Sequence, residues 1–173
     1  MTGKHHLISG TVAGGCVATS YILQNQQENF KVTIPIVIGT VIVTGIGSLF
    51  PDIDTKTSKM GKKMRITSTI INKMFGHRGF LHSPIFAVAM FFLLRYIFNV
   101  NNISEYSVLY YGFVAGIINH FICDMMTKGG IPLLYPFQKV KFSLTPLKSG
   151  SKYEIVSLIA VCILSVTICF FIH

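Results

Sequence analysis

Five apolar runs, Leu7–Leu23, Val32–Phe50, Ser83–Phe98, Val108–Cys123 and Ile155–Ile172, alternate with more polar segments along the 173-residue chain. Each comes near the roughly 17–25 residues that an α-helix needs to cross a bilayer. The pattern predicts an all-α integral membrane helical bundle of about five transmembrane helices, forming one membrane-embedded domain over residues 1–173. The first run has the position of a signal peptide. However, Gly10, Thr11, Gly14 and Gly15 dilute its apolar core and no small-residue cleavage pattern follows, so it reads as a retained helix. Two runs carry G-x-x-x-G, at Gly10–Gly14 and Gly112–Gly116, and Gly39, Gly45 and Gly47 add small residues to the second run. Glycines at this spacing let helix backbones approach closely in lipid, where packing drives association. Tight packing within the chain is expected.

Composition agrees: 51% of the residues are hydrophobic and 12% charged, against about 25% charged in soluble domains. The net charge of +9 raises nucleic acid as a partner, but the placement of the charges argues against it. Of 15 Lys and Arg, seven fall between Lys56 and Arg78 and five between Lys128 and Lys152, whereas 99–107 has none. Alternate loops are basic, as in the positive-inside pattern, and no nucleic-acid-binding motif is present. The expected topology places the N-terminus and the 51–82 and 125–153 loops in the cytoplasm and the C-terminus outside.

Within the 56–75 loop, Met60, Met64, Ile71, Met74 and Phe75 recur at near-helical spacing among Lys62, Lys63, Arg65 and Lys73. This fits either a basic amphipathic helix on the anionic leaflet or a solvated loop that sets topology. The 129–148 segment, with Pro132, Pro136 and Pro146, reads as irregular backbone near the membrane surface with a short β-like piece at Lys139–Leu144. Cys16, Cys123, Cys162 and Cys169 lie in apolar runs without C-x-x-C spacing, and read as packing residues.

Placed on this topology, the ionisable residues converge. His5 and His6 stand at the start of the first span, Asp52 and Asp54 at the end of the second, and His77, Arg78 and His82 before the third. His120 and Asp124 close the fourth span and Glu154 opens the fifth. Four of the six acidic residues and five of the six histidines therefore share one membrane face. Ionisable groups at membrane depth are costly unless used, and imidazoles with carboxylates are the usual ligands of zinc and related divalent ions. His120 and Asp124, four apart, share a helix face. Asp52 and Asp54, two apart in an extended PDID turn behind the helix-stopping Pro51, would face one cavity. His5 and His6 compete for one role. Thr127 either orients a ligand or bonds the helix end, and Arg95 near the outer end of the third span snorkels.

The stretches GKHHLISG, LFPDIDTKTS, FGHRGFLHS, GFVAGIINHFICDMMTKGGIPLLYPF and SGSKYE resemble the YdjM-like family of LexA-regulated, predicted membrane-bound metal-dependent hydrolases, in order and over nearly the whole chain. The resemblance implies a bacterial inner-membrane protein whose metal ligands are His6, Asp52, Asp54, His77, His82, His120 and Asp124, accompanied by Arg78 and Glu154. It favours His6 over His5. The H-x-x-x-D arrangement is more loosely similar to zinc-dependent phospholipase C, whose further histidines this chain lacks.

The expectation is a hydrolase at the cytoplasmic membrane interface. One to three divalent ions, zinc first and manganese as the alternative, would activate water toward a phosphoester or ester bond of a lipid-like substrate. Asp54 or Glu154 would act as general base, and Arg78 would neutralise phosphate charge. No G-x-S-x-G, P-loop or H-E-x-x-H is present, which disfavours serine hydrolysis, nucleotide-driven work and zincin proteolysis. The rivals are a metal-binding membrane scaffold and an ion transporter, the latter opposed by the apolar outer halves of the spans.

Overall fold

The computed structural model describes residues 1–25, 30–55, 58, 61–62, 66, 68–69, 73 and 79–172, with backbone alone for 30–32 and 172. Five helices carry the fold: α1 Gly3–Gln24, α2 Phe30–Gly47, α3 Pro84–Val100, α4 Ser107–Met125 and α5 Glu154–Ile172. Between them, 3₁₀ turns form at Pro51–Asp54, Phe80–His82 and Ser104–Tyr106. Among the described residues the only sheet-like pairing is an antiparallel bridge between Ile131 and Phe142, within the β-like piece expected at 139–144. The segments containing α1, α2, α4 and α5 are long and apolar enough to cross a bilayer. Helix α3 has 17 residues, a rise of about 25 Å, at the short end of the spanning range. Of the amphipathic pattern at 56–75, Met60, Met64, Ile71, Met74 and Phe75 all lie outside the described residues.

One local expectation is corrected. Pro51 does not push Phe50 out of the helical region: Phe50 has φ −64° and ψ −42°. Helix α2 ends earlier, at Gly47, and Pro51 opens a 3₁₀ turn as its first residue, a position where its missing N–H is no loss. In extended backbone, residues two apart share a face. In a 3₁₀ turn, at three residues per turn, they point about 240° apart. Asp52 and Asp54 are therefore sent in different directions.

Helices α1, α2 and α4 form the packed centre. A Cβ on Gly116 would lie 2.2 Å from the Thr44 carbonyl oxygen and 2.8 Å from the Ser48 nitrogen, and one on Gly47 would lie 2.3 Å from the Phe113 carbonyl oxygen. On the other side of α2, a Cβ on Gly14 would reach the Val41 Cα at 2.9 Å. Both G-x-x-x-G motifs thus serve contact within the chain. The buried hydroxyls of Thr40 and Thr44 on α2, and of Ser48 just past its end, donate back to the carbonyls of Ile36, Thr40 and Gly45 at 2.7–2.8 Å. No hydroxyl is thereby left unpaired on the contact face. Helix α3 packs on α4, and α5 chiefly on α1. Ile53, Leu81, Phe86, Ala87, Ile117, Phe121 and Ile131 form an apolar plug that joins two of the 3₁₀ turns to α3 and α4. All four cysteines are free thiols, and Cys123 is fully buried.

Because α4 touches the α2 backbone at Gly116, Gly116→Ala should force the helices apart. A loss of about 1–3 kcal/mol is expected, as for other overpacked interiors. Gly15→Ala, with nothing within 4 Å of the added carbon, should leave the melting temperature in detergent unchanged. Equal shifts for the two variants would refute the contact.

Candidate metal centre

The cluster is built from the ends of four segments. Helix α4 supplies His120 and Asp124, one turn apart as their spacing predicts, with His120 Nε2 3.7 Å from Asp124 Oδ2. Helix α1 brings His6 alongside: its ring stacks on His120 with centroids 3.9 Å apart, and its Nε2 lies 3.3 Å from Asp124 Oδ1. The Phe80–His82 turn adds His82, whose Nε2 is 3.2 Å from His120 Nε2 and 3.7 Å from Asp124 Oδ2. The Pro51–Asp54 turn adds Asp52, with Oδ1 3.9 Å from His82 Nε2. Ligand atoms of His6, His120 and Asp124 lie within 4.8 Å of one another, as do those of Asp52, His82 and His120. The two groups share His120. The α-amino group of Met1 also bonds Asp124 Oδ1.

Proton positions follow from the surrounding acceptors. His120 Nδ1 is 2.7 Å from the Ser48 carbonyl oxygen. A carbonyl only accepts, so Nδ1 carries the proton and the neutral ring turns the lone pair of Nε2 into the cluster. His82 Nδ1 lies 3.2 Å from Asp54 Oδ2, an ion-pair contact without hydrogen-bond alignment; the carboxylate favours the tautomer with its proton on Nδ1 and Nε2 directed inward. The two Nε2 atoms thus face each other at 3.2 Å beside two carboxylates. Both ring nitrogens of His6 are buried without a well-aligned hydrogen bond. Orphaned buried nitrogens are rare, and an electron-rich pocket of this kind is relieved by a cation. The donor set, imidazole nitrogen plus carboxylate oxygen, fits zinc or manganese.

Burial gives the cluster a direction. The side chains of His6, His82, His120 and Asp124 are 0–1% exposed, while Asp52 is 16% exposed. Among these five, Asp52 marks the open side.

The remaining candidates take other places. Asp54 is 1% exposed and stands behind His82, also accepting a 2.9 Å hydrogen bond from Thr55 Oγ1. It supports a ligand rather than standing with Asp52 in one group. Glu154 is turned away from both groups: its carboxylate accepts the backbone N–H groups of Thr2 and Gly150 and bonds His5 Nδ1 at 2.7 Å. His5, the rival of His6 for a ligand role, is instead the half-buried partner of Glu154, and this clamp fixes the start of α1 immediately before His6. Thr127 donates to the Asp124 carbonyl at 3.0 Å, the helix-end alternative. His77 and Arg78 lie outside the described residues.

Sequence reading missed the Ser48 carbonyl, because a backbone acceptor leaves no residue signature. It also passed over the contact in which Asn119 Nδ2 donates to Ser9 Oγ at 2.8 Å beside Cys123. Asn119 stands next to His120 and Ser9 one turn after His6, which was the available signal.

Comparison with known proteins identifies the family. The family model described as "YdjM inner membrane protein" matches residues 1–173. The chain is 35% identical over 155 residues to "Uncharacterized protein YvsG" of Bacillus subtilis (strain 168), covering 89% of this chain and 85% of that protein. It is 35% identical over 94 residues to "Inner membrane protein YdjM" of Escherichia coli (strain K12), covering 51% of this chain and 44% of that one. No solved structure matches. With four segments long and apolar enough to span, the chain belongs to the YdjM inner membrane protein family, as a multi-pass protein of the bacterial inner membrane.

Proposed function

We propose that this protein is a membrane-bound metal-dependent hydrolase acting on a phosphoester or ester bond of an amphiphilic substrate. The observation that carries the reading is the pair of overlapping ligand groups around His120, buried on one side and open at Asp52. A purely structural ion has every position closed, whereas a catalytic one keeps a position open.

With one inward lone pair, His120 Nε2 would serve a single ion, completed by His6 and Asp124 or by Asp52 and His82, with zinc the first choice. A bound ion supplies a water of lowered pKa and a counter-charge for the oxygens of the scissile group. The protein does the positioning. Ser48 and Asp54 keep the protons on the outer nitrogens of His120 and His82, so both rings present lone pairs inward. His6, stacked on His120, closes the buried side. Asp52 is the carboxylate placed to take a proton at the opening, in the role the sequence assigned to Asp54 or Glu154. Arg78, from its sequence position, would neutralise substrate phosphate.

A groove of about 760 Å³ between α1 and α5, lined by Val12, Cys16, Leu23, Val166 and Phe170 among others, offers an apolar chain a path along the spans. The lysine distribution supports a cytoplasmic position for this face, so the substrate would enter from the inner leaflet.

Elemental mass spectrometry of the purified protein should find zinc or manganese. The metal should be lost in His120→Ala and bound about 10–100-fold more weakly in Asp54→Asn, as when other outer partners are removed. Absence of metal after loading with both ions would sink the proposal.

Release of phosphate or head group from phosphatidylglycerol or phosphatidic acid should stop on chelation and return with metal. It should fall about 10²–10⁴-fold in Asp52→Asn, the usual scale for a lost acid–base group. Metal retained with no turnover on any lipid phosphate would instead favour the scaffold reading.

A further inference from the structure

Most apolar side chains exposed on this molecule lie on the spanning helices and face lipid chains. The segment between α4 and α5 does not fit that account. Leu134, Phe137, Val140, Phe142 and Leu144 are 47–89% exposed, Phe137 most of all, yet they belong to no helix. Five lysines, Lys128, Lys139, Lys141, Lys148 and Lys152, are exposed in the same segment, and no carboxylate occurs from 125 to 153.

The segment is folded and anchored. Ile131 and Phe142 exchange two backbone hydrogen bonds of 2.8–3.0 Å, and Ile131 is buried in the apolar plug. Leu144 N–H donates to the Met125 carbonyl, Thr145 Oγ1 to the Met126 carbonyl and Ser143 Oγ to the Thr127 carbonyl, all at 2.7 Å. These acceptors directly follow Asp124, so the loop is fixed within one turn of the candidate metal centre. With its inner face spent on the plug and the α4 end, its outer face alternates apolar tips with cations.

We propose that the 133–144 loop is an interfacial docking element, with Phe137 and Val140 inserted beneath the head groups of an anionic leaflet and Lys139 and Lys141 at the phosphates. The charge pattern selects this partner. Exposed aromatic and aliphatic tips partition into the interfacial zone, and neighbouring lysines are attracted to anionic lipid. A purely zwitterionic surface would leave the lysines without counter-charge. The proposal goes beyond the hydrolase reading and holds whether or not the centre turns over a substrate. Together, the two put a lipid-held loop against the α4 end that carries Asp124.

The chain contains no tryptophan, so Phe137→Trp introduces a unique fluorophore at an 89% exposed position where packing is not disturbed. In vesicles of phosphatidylcholine with phosphatidylglycerol, its emission should be blue-shifted and quenched severalfold by lipids brominated near the top of the acyl chain. Adding Lys139→Glu and Lys141→Glu should cut that quenching at least twofold, and removing phosphatidylglycerol should do the same. Val140→Trp provides an independent reporter, with the same result expected.

Emission at the wavelength of a water-exposed indole, without quenching, in both reporters would overturn the proposal. Blue-shifted emission that brominated lipid does not quench would also overturn it, placing the tips against a second copy or another protein. Quenching unchanged by the glutamates and by lipid charge would remove the anionic-leaflet assignment.

Discussion

The candidate centre depends on the contact between α2 and α4. Gly116 and Gly47 let the two backbones meet with no side chain between them, and that closeness puts the Ser48 carbonyl within 2.7 Å of His120 Nδ1. A larger residue at either glycine would move the carbonyl away from the imidazole. Which nitrogen of His120 carries the proton, and so which one faces the cluster, is therefore decided by helix packing. In a membrane interior the hydrophobic effect does not press helices together, and close backbone approach takes its place. The small residues that stabilise the bundle thus also set the chemistry of its polar end.

The polar end has its own energetic requirement. Buried imidazoles and carboxylates without compensation are expensive in a low-dielectric setting. The chain meets the cost partly by pairing: Asp54 with His82, Ser48 with His120, and Glu154 with His5 and two backbone N–H groups. What stays without an aligned hydrogen bond includes both ring nitrogens of His6, Nδ1 of His82 and Oδ2 of Asp124, all within this cluster. Uncompensated groups scattered through the bundle would only weaken it, whereas converging on one point they form a candidate binding site. The apolar plug beside them, from Ile53 to Ile131, holds the two short turns that carry Asp52 and His82.

Much of this was legible from residues alone, and the boundary has physical reasons. The spans, the shared membrane face and the His120–Asp124 pair follow from hydrophobic length and from helical periodicity, which is rigid over one turn. The glycine contacts were legible as a motif, though their partner, α2, was not. The Asp52–Asp54 arrangement was misjudged because the rule for residues preceding proline is a bias, and tertiary packing overrode it at Phe50. The Glu154–His5 clamp joins residues 149 positions apart, and no local pattern encodes such a distance. The exposed tips of the 133–144 loop could not be told from core residues by composition, since Phe137 and Phe142 read alike until Ile131 is seen to claim the inner face.

The backbone form of Pro51–Asp54 is the step on which site and surface meet. Were PDID extended, both carboxylates would enter the same space, His82 would lose the acceptor behind it, and the cluster would hold more negative charge with less order. The 3₁₀ turn separates the tasks. Ile53 goes into the plug, Asp54 goes behind His82, and Asp52 remains partly exposed at the rim. One short turn, started by a proline at its first position, thereby assigns four consecutive residues to initiation, opening, anchoring and support. A cluster sealed on the helix side and accessible at one carboxylate is the arrangement that the proposed chemistry at a membrane surface requires. Here it follows from where the chain stops being an α-helix.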